Sequence, residues 1–183
     1  MPFLYFWGRA PSLFWVVLSG TFFTLGCTLA PDFNVYYAMK ALQGFTLTAG
    51  QTSGLAFIQD MFFFHEHARK IGIWTAVFLA SPYFGPLFAN FIIAGTSSWK
   101  DVYWLIFGIG CLNVVFILCF LDETWYRRDI IQEKQPTRGP RISRIIGLWQ
   151  IRVHREYFGT FAKSCQRLLS VFLKPIMIPI MIY

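Results

Sequence analysis

Residues 71–94 read IGIWTAVFLASPYFGPLFANFIIA, a run of 24 residues without a charged side chain. A bilayer's hydrocarbon core is about 30 Å thick, and an α-helix rising about 1.5 Å per residue crosses it in about 20 residues. The run is long enough to span. Working outward, residues 12–30 and 35–58 precede it and residues 102–121 follow, each mostly apolar and set off by a short polar break. In lipid every backbone N–H and C=O must be paired inside the segment, which a helix does by itself. The pattern predicts an all-α fold, a polytopic transmembrane helical bundle with spans at 12–30, 35–58, 71–94 and 102–121, the lipid bilayer being its solvent.

Composition agrees: 56% of the 183 residues are hydrophobic and 14% charged, against about 25% charged in an ordinary soluble domain. A net charge of +7 raises nucleic acid as a partner, but the position of the charge argues against it. Fourteen of the sixteen Lys and Arg residues lie in three places: Arg9, the pair Arg69 and Lys70, and eleven from Arg127 to Lys174. These alternate with the spans, and the intervening segments 31–34 and 95–101 are short and nearly neutral. By the positive-inside rule both ends of the four-helix unit face the cytosol, and the plasma membrane is the expected location.

Four parts follow: a cytoplasmic N-terminal segment at 1–11, the bundle at 12–121, a basic cytoplasmic loop at 122–170, and the start of a further transmembrane helix at 171–183. Within the loop, Ile142, Ile145, Ile146 and Trp149, then Tyr157, Phe161, Leu168 and Phe172, recur among basic residues, the pattern of an amphipathic surface helix. Cys27, Cys111 and Cys119 fall in spans and Cys165 in the basic loop, so no disulfide is expected. Residues 1–7 lack a basic start and Pro31 follows Ala30, so the first span is read as retained rather than cleaved.

The second span is the most polar. Thr46, Thr48, Ala49, Gly50, Thr52, Ser53 and Gly54 are small or hydroxylated, with Gly50 and Gly54 at G-x-x-x-G spacing for close helix approach. At about 100° per residue, Lys40, Gln43, Gly44, Leu47, Gln51 and Gly54 share one stripe. A lysine at the centre of a lipid-facing helix costs roughly 2.5–3.5 kcal/mol, so the stripe is expected to face protein or a cavity. Lys40 also lies close enough to the span's end to snorkel. In the third span Ser81-Pro82 and Gly85-Pro86 predict a kink or a broken helix, and Asn90 one turn later needs a partner.

No catalytic constellation occurs. His65-Glu66-His67 lacks H-E-x-x-H spacing and is read as a solvated loop, and no phosphate loop, nucleophile elbow or metal-ligand Cys pair is present. The expectation is no enzyme, no metal and no cofactor.

An ordered set of motifs resembles the major facilitator superfamily, and within it the fungal drug:proton antiporter branch. Gly8-Arg9-Ala10-Pro11 resembles the tail of G-x-x-x-D-R-x-G-R-R-P, the signature of the loop between helices 2 and 3. Lys40-Ala41-Leu42-Gln43-Gly44 resembles R-x-x-Q-G of helix 4. Asp60, Glu66, Arg69 and Gly72 are similar to a D-x-F…H-E-R…G-x-W loop run of fungal members. Gly85-Pro86 falls where the helix 5 antiporter signature G-P-x-x-G-G ends, and Asp122-Glu123-Thr124 where helix 6 ends in P-E-T. The sequence departs at Tyr5 and Phe6 for Asp and Arg, at Lys40 for Arg, and at Ala89-Asn90 for Gly-Gly.

The resemblance implies helices 3 to 6, the central loop and the start of helix 7, a partial N-terminal half. It implies transport of a small organic solute, a drug, polyamine or other organic cation, with the proton as coupling ion. Lys40, Gln43, Gly44 and Gln51 are then cavity candidates, Gly85, Pro86 and Asn90 shape a gating helix, and Gly8, Arg9, Asp60, Glu66 and Arg69 are the cytoplasmic loop signatures. A half-bundle cannot enclose a midplane site alone, so the chain reads as an internal piece of a truncated gene or faulty gene model, inactive by itself. The alternative is a non-transporting four-span protein that pairs with or regulates a full-length relative.

Overall fold

The structure, a computed structural model, describes residues 7–124 and 139–149, and residues 162, 165, 166, 169 and 170. Five helices are defined among the described residues: α1 (Arg9–Leu29), α2 (Phe33–Met61), α3 (Phe64–Thr96), α4 (Trp99–Phe120) and α5 (Arg141–Ile146). No strand occurs among the described residues, and the fold is an all-α helical bundle. The expected amphipathic positions from Tyr157 onward and the further span at 171–183 lie outside the described residues.

By length and composition α1, α3 and α4 can cross a membrane. At 29 residues α2 is long enough, but Lys40, its glutamines and its threonines lower its hydropathy below theirs. Connections are tight, 30–32, 62–63 and 97–98, and α3 touches both α2 and α4. Ser97 ends α3 in the left-handed region at φ 56°, its N–H on the Ile93 carbonyl at 2.8 Å.

Two elements differ from expectation. The loop at 59–70 shrinks to Phe62 and Phe63, so Asp60 closes α2, while Glu66, Arg69 and both histidines are helical in α3. The bilayer limits the apolar part of a helix, whereas the helix itself propagates for as long as each added residue gains a backbone bond. His67 fastens this turn, its ring nitrogen bonding the Phe62 carbonyl at 2.8 Å. The second difference concerns the expected break. Although α3 contains Pro82 and Pro86, it continues through both as one element.

The described residues form two units, one holding Leu13–Leu121 and the other the residues up to Ser12 and from Asp122 onward. In the first, α1 and α2 interlock through missing side chains. A methyl group on Gly20 would lie 2.9 Å from Leu47 Cδ2, on Gly26 3.0 Å from Met39 Sδ, and on Gly50 3.4 Å from Val16 Cγ1. As numbering rises along α1 it falls along α2, so the seam is antiparallel. Gly54 instead faces Trp74 of α3, so the G-x-x-x-G pair serves two different neighbours. Gly110 brings α4 against α1, where an added methyl would meet Thr21 Oγ1 at 2.9 Å. By contrast α3 and α4 bury no residue.

Candidate functional site: a polar relay across three helices

The relay begins with Lys40 on α2. An ammonium has donors only, so it must meet the oxygen of an amide, and Lys40 Nζ donates to Gln43 Oε1 at 2.9 Å. That leaves the amide nitrogen of Gln43 as donor, and it bonds Thr24 Oγ1 of α1 at 2.6 Å. Having accepted there, the Thr24 hydroxyl donates to the Gly20 carbonyl at 2.8 Å. Every donor in this chain is fixed by its neighbour. Gln43 and Thr24 are 3% and 3% exposed, so each would leave a stranded polar group if its partner were lost.

The third wall comes from α4. Lys40 Nζ stands 5.1 Å from the centroid of the Tyr103 ring, within cation–π range. Tyr103 and Tyr36 share a hydroxyl–hydroxyl bond of 2.6 Å, and both rings meet Trp99 edge to face at 5.9 and 5.7 Å. Thus Lys40 uses one donor on Gln43 and one face of a ring. Its other N–H groups are open, because the residue is exposed.

Of the expected cavity residues, Lys40 and Gln43 are brought together; Gly44 and Gln51 are exposed, and nothing packs within 4 Å of a methyl placed on Gly44. Gly85, Pro86 and Asn90 are exposed on α3 and are not part of the relay. Three participants were missed in the sequence: Thr24, Tyr36 and Tyr103. Tyr36 was findable, since it precedes Lys40 by one turn on the same helix face. Thr24 and Tyr103 lie on other helices and carry no local signal. Among the described residues no cluster of His, Cys, Asp and Glu could hold a metal ion.

Within the other unit two loop signatures meet. Gly8 adopts φ 93°, a left-handed conformation suited to glycine, and its carbonyl accepts from Ser12 Oγ at 2.7 Å. The Glu123 carboxylate then takes the N–H groups of Arg9 and Ala10, each at 3.2 Å. A negative group there complements the unpaired donors and positive end of a helix. Asp122 beside it pairs with Arg144 of α5 at 3.2 Å and accepts the Glu123 N–H at 2.8 Å. Ile145 and Trp149 are buried, as is Arg144, whereas Ile142 is exposed. Gly147, at φ 96°, ends α5 where a side chain would strike Trp7 Nε1 at 2.8 Å.

Several long apolar helices with polar contacts between them define a multi-pass membrane protein. The family model for the Major Facilitator Superfamily matches residues 2–183, and the chain belongs to that superfamily, a family of transporters. Over 118 residues it is 29% identical to "Multidrug resistance protein Stp" of Mycobacterium tuberculosis, covering 62% of this chain and 22% of that protein. It is 23% identical over 145 residues to "Quinidine resistance protein 3" of Saccharomyces cerevisiae, covering 79% and 20%. To "Multidrug resistance protein 3" of Bacillus subtilis it is 31% identical over 112 residues, 58% and 21%. The chain spans about a fifth of the length of these relatives. No solved structure matches.

Proposed function

We propose that this chain forms part of a proton-coupled major facilitator transporter for small organic solutes of the drug, polyamine or organic-cation class. The observation that carries the reading is the relay from Lys40 through Gln43 to Thr24, which anchors a cation on a wall built from three helices. A cation so held has open donors that a substrate acceptor can engage. The multidrug and quinidine resistance names of the relatives support a drug-like solute. These relatives are bacterial as well as fungal, so the fungal antiporter branch rests on the Asp60…Glu66…Arg69 run.

In this reading α2 is a fourth span whose Gln43 is covered by α1 while Lys40 and Gln51 stay open to a cavity, both ends of the four-helix unit are cytoplasmic, and the membrane is the plasma membrane. The remaining wall of the site comes from the second half of a complete transporter, and the chain is inactive alone. Gly85, Pro86 and Asn90 make α3 the element that bends during gating. The experiment is Lys40→Ala in the complete protein, reconstituted in vesicles with and without an imposed pH gradient. Transport is expected to be abolished with insertion intact, and unchanged uptake kinetics would falsify the role of Lys40.

A second reading is favoured by the bare faces of α3 and α4. Here the chain pairs through those faces with a full-length relative and regulates it without transporting. Cross-linking in membranes that captures no such relative dismisses this reading.

A further inference from the structure

A cavity of about 450 Å³ opens where α2 and α4 begin. That volume lies within the roughly 300–1,000 Å³ of small-molecule sites. Asp32, Phe33 and Tyr36 line one side and Trp99 and Lys100 the other. The two charges are opposite, yet they do not pair. Among the described residues the Asp32 carboxylate takes no hydrogen bond or ion pair, although it is the N-cap residue of α2. Lys100 instead lies over the Trp99 ring, 5.8 Å from its centroid.

We propose that this cavity binds a zwitterion with a quaternary ammonium at one end and a phosphate at the other, the phosphocholine group. A lone cation would meet Asp32 and the rings but also Lys100 and the positive starts of two helices. A lone anion would suit Lys100 but meet Asp32 and leave the rings of Phe33 and Tyr36 without a cation. One ligand carrying both charges satisfies both sides. A primary ammonium brings three donors, whereas the side chains on the cation's side offer the Asp32 carboxylate and otherwise rings, so the lining favours a quaternary ammonium. Phe33 and Trp99 are 76% and 48% exposed, and the Tyr36 hydroxyl is already engaged with Tyr103. Quaternary ammonium groups, which donate no hydrogen bonds, are recognised by such ring faces. The cavity also lies at helix ends, the depth at which tryptophan and tyrosine meet lipid head groups.

Binding here needs no transport cycle, so its test and that of Lys40 fail independently. The purified chain in phosphatidylglycerol nanodiscs is titrated with phosphocholine by calorimetry, with choline and inorganic phosphate as half-ligands. Saturable phosphocholine binding tighter than either half is expected. Asp32→Asn and Lys100→Gln should each weaken it about fivefold or more, as should Trp99→Leu, which keeps an apolar side chain but removes the π face. Helical circular dichroism identifies any variant that fails to fold, and the two exposed charge variants then decide. Absence of saturable heat, choline binding as tightly as phosphocholine, or unchanged affinity in both charge variants overturns the proposal. Repeating the titration in phosphatidylcholine nanodiscs identifies the source: loss of the free-ligand signal assigns the site to lipid head groups, and its persistence to a soluble ester.

Discussion

The two pairs of helices in the bundle solve different problems. Where α1 meets α2, glycines and a threonine admit Leu47, Met39 and Gln43, and residues on both helices are buried. Helices α3 and α4 are at least as apolar, with Phe78, Phe84, Phe88, Phe91, Ile109 and Phe116 all exposed, and neither buries any residue. Hydropathy therefore does not predict burial in a membrane protein. Lipid tails are as apolar as leucine, so bulky helices gain nothing by hiding from them, and association follows small residues and polar bonds.

That contrast can be broken at several points. The largest expected effect is loss of transport in Lys40→Ala, since the relay lies on the packed side; full activity in that variant would leave the seam a purely structural device. Next, Gly20→Val forces its side chain into Leu47 and Thr46 and is expected to destabilise by about 1–3 kcal/mol, read as a lower melting temperature of the chain in detergent. Gln43→Leu removes the bond to Thr24 across the same seam and the bond from Lys40 within α2, and should cost about 1 kcal/mol, the scale of interhelical hydrogen bonds in lipid. Smallest is Gly85→Ala on the open helix, where nothing lies within 4 Å of the added methyl. Helix propensity alone then acts, and a stabilisation of up to about 1 kcal/mol is expected. If Gly85→Ala destabilised the chain as much as Gly20→Val, the distinction between the packed and open pairs would be lost.

The spans of α1, α3 and α4 were legible because a long apolar run has one stable answer in lipid. Their ends were less so, since Glu66, Arg69 and Lys70 continue the helix beyond the apolar part of α3. The candidate site was half legible. Lys40 and Gln43 stood out as polar residues three apart on one helix, a spacing that places them side by side. Nothing local singled out Thr24 among the hydroxyl residues, or Tyr103 among eight tyrosines.

By itself the sequence determined the class: an all-α membrane bundle, its family, and a polar stripe on its second helix. Those follow from length, hydropathy and ordered motifs, all properties of neighbouring residues. Tertiary structure alone decided that Gln43 takes Thr24, that Lys40 stands over Tyr103, and that Glu123 holds the start of α1. Each joins residues far apart in the chain, and the small side chains that let helix backbones approach decide which groups come within hydrogen-bond distance.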